Sequence, residues 1–377
     1  MKIKRFEVKG LNKRVKFNFE FHDDLNILTG VNGSGKTTAL KLAWYLISGS
    51  TVRVRREIEF KYCRLLTNAF DLQLERLPGG DIKYIFSLVD EPETFEQGNF
   101  SDPVDIDSDG DVVEDGEDRL SSLIRSSSDR SIFFPTFRRI EGGYSLSKGR
   151  ARGRTSGLSF SGAAADAGIG AQLEQISGEL SYRAHKFVCA VSTDDIAALL
   201  TQRYALISEG VNKRYSDFSA TILRDIRAWE QGAAESSESE SLLLKIQAAA
   251  NDVDSFRESN LRPFNVLSEL VAKLFSYQGV TLKGLALGDA AKAIDSDVLS
   301  AGEKQMLSFL VYNAFSTEAP IFIDEPELSL HPDWQRRLFP TLLDQQGSNQ
   351  FIVSTHSPFI YAKYADRELP INADRGD

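Results

Sequence analysis

The sequence predicts an α/β fold in which a β-rich N-terminal lobe and a C-terminal lobe close into one head, with an α-helical insertion between them. Three observations carry that prediction. A short apolar strand, Leu25 to Leu28, runs into a glycine-rich loop and then into a helical pattern. A second apolar strand, Ala319 to Ile323, ends in Asp324-Glu325. Between them, from about residue 171 to 275, apolar residues recur at helical spacing.

Taken in order, Lys2 to Val8 and Val15 to Phe21 alternate apolar and polar residues, as half-buried strands do. Past the glycine loop, Thr38 to Ile47 has apolar residues at helical steps and ends near Gly49. Glu57 to Leu65, Phe70 to Leu77 and Ile82 to Val89 read as three more strands, the last two joined through the turn Pro78-Gly-Gly-Asp81. Residues 92 to 130 are poor in apolar side chains and rich in Asp, Ser and Gly, so a mobile surface loop is expected. Ile132 to Phe137 resumes the fold as a strand, and the Gly/Ser/Ala-rich stretch 142 to 170 returns to loop. In the helical block Ile196, Leu199, Leu200, Tyr204, Ile207, Val211 and Tyr215 step by threes and fours. Glu235 to Ser241 should interrupt that block as a solvated linker. Strands return at Ala319 to Ile323 and Phe351 to Ser354, and no internal repeat is evident.

Bulk properties narrow the class. The 377 residues suffice for one large or two ordinary domains, and no apolar stretch approaches the roughly 20 residues of a membrane helix. The opening Met1 to Val8 lacks the apolar run of a signal peptide, so a soluble, cytoplasmic protein is expected. Cys63 and Cys189 stand far apart, which suggests neither a disulfide framework nor a zinc site. Net charge is −10, against a basic nucleic-acid coat, yet basic residues gather near the N-terminus, at Arg53, Arg55 and Arg56, and in Lys148 to Arg154. A local nucleic-acid face therefore stays open beside the plainer reading of solvated surface charge.

Four motifs carry chemistry. Gly30-Val-Asn32-Gly33-Ser34-Gly35-Lys36-Thr37, followed by Thr38, has the spacing GxxxxGK and then Ser or Thr. Its glycines let backbone N–H groups turn toward phosphates, and the following helix aims its positive end there. Lys36 neutralises β/γ oxygens, and the Thr37 hydroxyl can ligate Mg²⁺. The ligand implied is ATP or a similar triphosphate with Mg²⁺. In Ile321-Phe-Ile-Asp324-Glu325, Asp324 would hold the metal and Glu325 would orient or deprotonate an attacking water. Leu299-Ser300-Ala-Gly302-Glu303, ahead of the apolar run Met306 to Phe315, presents hydroxyl and backbone donors suited to a γ-phosphate. An ordinary Ser-capped helix would look the same, and that stretch alone does not choose. His356, in Ser354-Thr-His-Ser-Pro358, could donate to the γ-phosphate and sense its loss.

In this order the four motifs resemble the nucleotide-binding head of ABC-type ATPases: Walker A, signature, Walker B with its glutamate, and His switch. Leu328-Ser-Leu-His331-Pro332 resembles the D-loop. Glu303 departs from the LSGGQ of transporters and matches the SMC, RecF, RecN and OLD groups, whose opening is also similar to Phe17-Asn-Phe-Glu-Phe21 and Leu25 to Gly30. Phe133 to Glu141 and Ser192 to Leu200 look like ATPases of bacterial anti-phage systems, the Septu and retron-associated ones. No Q-loop glutamine is clear, and Arg138 lies where one is expected.

The resemblance implies an ABC-type P-loop head divided as follows: 1–90, N-terminal lobe with the P-loop; 91–170, acidic loop, strand and basic flexible loop; 171–285, helical insertion; 286–377, C-terminal lobe with signature, Walker B and His switch. It also implies a homodimer or higher oligomer through the heads, with two ATPs sandwiched and Ser300 and Gly302 acting on the partner's nucleotide. An insertion of about a hundred residues suggests a stubby helical lobe rather than a long SMC arm. OLD-type proteins carry a Toprim nuclease after the head. Only 19 residues follow Pro358, so a separately encoded effector, nuclease or toxin, is expected to supply any such activity in phage defence or DNA maintenance. A nucleotide-dependent scaffold that binds ATP with little turnover and sequesters a partner is the rival reading. A transporter ATPase fits less well, given Glu303 and the helical insertion. Two weaker signals remain. Asp105 to Asp111 invites a calcium loop, but Gly116 stands at the twelfth position and Glu117 comes one late. Lys148 to Arg154 could touch nucleic-acid phosphates or simply be solvated.

Overall fold

The computed structural model describes residues 1–93, 95–100, 116–136, 139–140, 176–191, 193–230, 236–274, 300–345 and 347–371. The strands are β1 (Ile3–Leu11), β2 (Val15–Glu20), β3 (Leu25–Thr29), β4 (Tyr62–Thr67), β5 (Phe70–Arg76), β6 (Ile82–Leu88), β7 (Phe95–Phe100), β8 (Ser131–Phe134), β9 (Arg139–Ile140), β10 (His185–Phe187), β11 (Ala190–Val191), β12 (Pro320–Asp324), β13 (Gln350–Ser354) and β14 (Glu368–Pro370). The helices are α1 (Lys36–Ser48), α2 (Thr51–Glu57), α3 (Gly116–Ser127), α4 (Thr193–Glu230), α5 (Ser236–Leu274), α6 (Ala301–Ala314), α7 (Pro332–Asp344) and α8 (Pro358–Tyr361). They divide into two compact units, one of Met1–Val191, Ser300–Met306 and Ser316–Asp377, the other of Ser192–Leu299 and Leu307–Phe315.

In the first unit, period-two alternation makes an antiparallel sheet in the order β2-β1-β4-β5-β6-β7. Its inner face buries Phe6, Val8, Phe17, Leu65, Leu72, Leu74 and Phe86, while charged residues take the outer positions. The second sheet runs β10-β8-β12-β13-β3-β14, and every pairing in it is parallel. β3, β12 and β13 are buried at every position, the continuous apolar habit of strands covered on both faces. In the core, Trp44 of α1 packs against Phe133 and Phe187, each ring centroid 5.5 Å away, and those two phenylalanines stack at 5.3 Å. Strand order, not sequence order, brings the carboxyl ends of β3, β8, β12 and β13 side by side, the edge where α/β sheets place their ligands.

The second unit contains α4 and α5, whose contacts pair falling with rising residue numbers, as in an antiparallel hairpin. Tyr204 meets Phe264 edge-on at 5.7 Å. Further along, Arg214 bonds Asp252 at 2.9 Å and lies 3.9 Å over the Phe256 ring. The helices have 38 and 39 residues, each roughly 57 Å long at the usual rise. That is a longer lobe than the expected stubby one. The expected linker Glu235 to Ser241 is mostly helix, because α5 begins at Ser236.

The tract 92 to 130 is not all loop: it contains β7 and α3, with Leu120 and Ile124 fully buried. The helical block is not continuous from near 171: residues 176–180 are helical, but His185–Phe187 then joins the parallel sheet beside β8 before α4 begins at Thr193. Glu57 to Leu65 is not one strand, since α2 ends at Glu57 and β4 starts at Tyr62. Of the basic group 53–56, Arg53 forms a surface ion pair with Glu57 at 2.7 Å, and the buried Arg55 is taken up by Glu117 at 3.1 Å. The acidic Asp105 to Asp111, the basic Lys148 to Arg154 and Arg138 lie outside the described residues. Among the described residues no helix is long and apolar enough to cross a membrane, and no His/Cys/Asp/Glu cluster could hold a metal on its own.

His185 sits buried between Ser131, 2.8 Å from its Nδ1, and Ser128, 3.3 Å from its Nε2. Burial pushes its imidazole down to about 4 from the usual 6.5. The unfolded chain therefore binds the extra proton between those two values, so stability rises with pH across that window and is complete above it. The drop on acidification from pH 7 to pH 4 should exceed that of His185→Gln by roughly 3 kcal/mol, measured by urea unfolding at each pH. Equal pH dependence in the two proteins would contradict the assignment.

Candidate functional site

The glycine loop joins β3 to α1. Gly30 adopts φ 145°, and a Cβ there would stand 2.5 Å from the Ile371 carbonyl oxygen and 2.8 Å from the Ser34 Oγ. Only glycine lets the C-terminal strand lie so close to the loop. Gly33 and Gly35 follow at φ 77° and 94°, turning the loop into a concave nest of N–H groups that opens on the start of α1. The Ser34 Oγ is buried without a hydrogen-bond partner among the described residues.

A cleft of about 550 Å³ lies against this loop. Asn32, Gly33, Gly35, Lys36, Thr37 and Thr38 line one side, and Glu325, Glu327, Leu328 and His356 line another, with Asn12 from the β1–β2 turn. The Lys36 ammonium donates to the carbonyl oxygens of Gly30 at 3.0 Å and Val31 at 3.3 Å, and lies 2.7 Å from the His356 Nε2. Since the ammonium has only donors, Nε2 accepts and the ring proton belongs on Nδ1. Burial pushes the Lys36 pKa below the usual lysine value, against the pull of Glu325, Asp324 and Glu327. Glu325 Oε1 is 3.6 Å from the same imidazole nitrogen.

A family profile described as "AAA domain, putative AbiEii toxin, Type IV TA system" matches residues 25–362. The chain belongs to that family. Membership places it among P-loop ATPases of defence-associated systems, as the motif resemblance implied. Among curated proteins, the "Retron Ec83 probable ATPase" of Escherichia coli is 36% identical over 73 residues, covering 16% of this chain and 14% of that one. Solved structures with some likeness include an Smc head domain with an extended coiled coil bound to the C-terminal domain of ScpA, derived from Pyrococcus furiosus (12% identity, 96% of this chain and 91% of that one, TM-score 0.37). Another is the recombination mediator protein RecF-ATPrS (10% identity, 95% and 93% coverage, TM-score 0.32).

In this AAA-family chain Asp324 is almost wholly buried at the end of β12 and is held by three hydroxyls. Thr37 donates to Oδ1 at 3.1 Å, Ser354 donates to the same oxygen, and Thr136 donates to Oδ2. The register explains two of them: Ser354 pairs directly with Asp324 across β13, and Thr136 stands two residues beyond Phe134, which pairs with Ile323. Hydroxyl and carboxylate at this spot form an all-oxygen donor set of the kind Mg²⁺ takes. Together with the N–H nest and the lysine, the residues present fit a metal-bound triphosphate.

The sheet thus brings Gly30 to Thr38, Asp324, Glu325 and His356 to one edge. It does not bring Ser300 or Gly302 there; neither lines the cleft among the described residues. Ser300 caps α6 instead. Its Oγ and its N–H both donate to the Glu303 carboxylate, at 2.8 and 2.7 Å, and its carbonyl accepts from Lys304 at 3.0 Å. This is the reciprocal capping box, so the Ser-capped helix left open by the sequence is present. Gly302 lies against the turn after β12: a Cβ there would meet the Ser329 carbonyl oxygen at 2.5 Å.

Sequence reasoning missed Asn12, Thr136, Ser354 and Glu327. Only the strand order could reveal Thr136, since nothing within its own stretch marks it. Thr136→Val keeps the shape and removes one donor from a buried carboxylate. A loss of about 1–3 kcal/mol in urea unfolding is expected. No loss would mean that Asp324 is fully satisfied without it.

Proposed function

We propose that this chain binds Mg²⁺·ATP in the cleft and hydrolyses it, in a site completed by a second copy, to control a separately encoded effector in phage defence. The observation that carries the reading is the convergence of Lys36, Glu325 and His356 on one cleft above Thr37 and Asp324. The nest of Gly30 to Thr38 and the α1 N-terminus hold the β- and γ-phosphates, and Lys36 exchanges its carbonyl contacts for phosphate oxygens. Thr37 and Asp324 would hold Mg²⁺, which when bound screens the phosphate charge. Glu325 orients and deprotonates the attacking water, and His356 donates to the γ-phosphate, the proton then being on Nε2. Ser300 and Gly302 of one copy would close over the nucleotide of the other, since in their own subunit they do not reach its cleft.

The effector reading is supported by the family description, which concerns toxin systems, and by the 36% identity to a retron ATPase over a short segment. Multiple-turnover phosphate release, measured on the protein alone and with the products of neighbouring reading frames, tests it. Sustained turnover that responds to one of those products supports the proposal. Tight ATP binding with no turnover in either condition would replace it by the scaffold reading.

A further inference from the structure

Past Ser354 the chain leaves the sheet, and its next backbone groups find partners one at a time. The Thr355 N–H still reaches the Leu28 carbonyl at 3.2 Å. The His356 N–H has left the ladder and donates instead to Glu327 Oε1 at 2.7 Å. One residue on, the Ser357 hydroxyl donates to Gln335 Oε1 at 2.5 Å, and Gln335 Nε2 donates to the Leu330 and Glu327 carbonyls at 2.7 and 3.4 Å. Two side chains therefore tie the His356 segment to the turn 326–330. On its other flank the same turn is held by α6: Gln305 Nε2 donates to the Pro326 carbonyl at 3.0 Å, and Gly302 abuts Ser329.

Within this tie Glu327 stands apart chemically. Its Oε1 makes a charge-assisted bond to a backbone N–H, among the stronger kinds. Its Oε2 is buried without a partner among the described residues, and leaving a charged oxygen so placed is costly. A shape-conserving glutamine would still offer an oxygen to His356, so bond geometry alone does not demand the charge. The carboxylate also lines the cleft and raises the proton affinity of Lys36 together with Glu325 and Asp324.

We propose that Glu327 is a positioning residue: by holding the His356 N–H, it sets the imidazole 2.7 Å from Lys36 and facing the cleft. This rests on the reading of His356 as a γ-phosphate contact, and it makes the turn 326–330 the element through which a displacement at the signature helix reaches that contact. Glu327 takes no proton in the reaction, and its positioning role is exerted through His356.

The test uses the full chain with [¹⁵N]histidine, whose four residues give four backbone amide signals, His356 being assigned by its loss in His356→Asn. In Glu327→Ala the His356 amide should move upfield and exchange about tenfold faster with solvent, as expected on losing a charge-assisted bond. In Glu327→Gln it should keep most of its protection. Turnover should fall roughly 10–100-fold in Glu327→Ala through kcat, with KM for Mg²⁺·ATP nearly unchanged, and be largely rescued in Glu327→Gln. An unmoved amide in Glu327→Ala would overturn the proposal, as would unchanged kcat in a variant whose amide has moved. Glu327→Gln as inactive as Glu325→Gln would also overturn it, because the charge rather than the hold would then matter. If the wild-type protein binds ATP without turning it over, the functional reading fails, and the amide signal still decides whether Glu327 holds His356.

Discussion

Glu325→Gln should lower steady-state ATP hydrolysis by about 10²–10³-fold while Mg²⁺·ATP binding stays within a few-fold of wild type. The expectation follows from where the side chain sits. Glu325 is the first residue after β12, its N–H donates to the Ser354 carbonyl at 2.9 Å, and its carboxylate lines the cleft beside His356. Its backbone is left-handed, at φ 47°, a conformation that costs a non-glycine residue of order 1–3 kcal/mol. The chain bears that strain at an acidic residue that lines the cleft beside the glycine loop. Glutamine preserves size, backbone and hydrogen-bond reach but cannot accept the proton of an attacking water. Phosphate release and equilibrium binding of Mg²⁺·ATP, measured on the same preparations, separate the two effects. Turnover within tenfold of wild type would remove Glu325 from the catalytic role. Lost binding would instead mean that the substitution disturbs the loop around Lys36.

The candidate site was legible because the residues that line it are concentrated in contiguous motifs. Gly30 to Thr37 announces itself by spacing, and Asp324-Glu325 by an apolar strand that ends abruptly in acid. What escaped is of two kinds. Thr136, Ser354 and Glu327 owe their placement to sheet order and register, which put residues nearly two hundred positions apart on one carboxylate, and a linear reading carries no trace of that. The tract before β8 was misread because its structure is held partly by polar groups. Glu117 is buried against Arg55, and Thr51 bonds Ser121 in the core at 2.6 Å, so composition alone resembles a solvated loop. β10 and β11 have three and two residues, too few for any period to show. They belong to the head because Phe187 stacks on Phe133, a contact that only the folded chain supplies.

Ser300→Arg should abolish turnover, at least about 10²-fold, while each subunit still binds Mg²⁺·ATP. In its own subunit Ser300 is occupied with capping α6, and neither it nor Gly302 lines the cleft, so a bulky cation at 300 leaves the Lys36 site untouched. Arginine also loses the cap, at a cost of about 1 kcal/mol, which Ser300→Ala reproduces without the bulk and so serves as the stability control. The decisive arrangement is a mixture. Lys36→Ala removes the phosphate lysine from one copy, and Ser300→Arg blocks the signature of the other; each protein alone should be inactive. If the signature of one copy completes the cleft of another, a mixed dimer has one cleft with intact Lys36 facing an intact Ser300, and mixing should restore up to about half of one dimer's activity per heterodimer. If Ser300 serves its own subunit, no pairing holds both intact residues at one site, and the mixture stays as inactive as its parts.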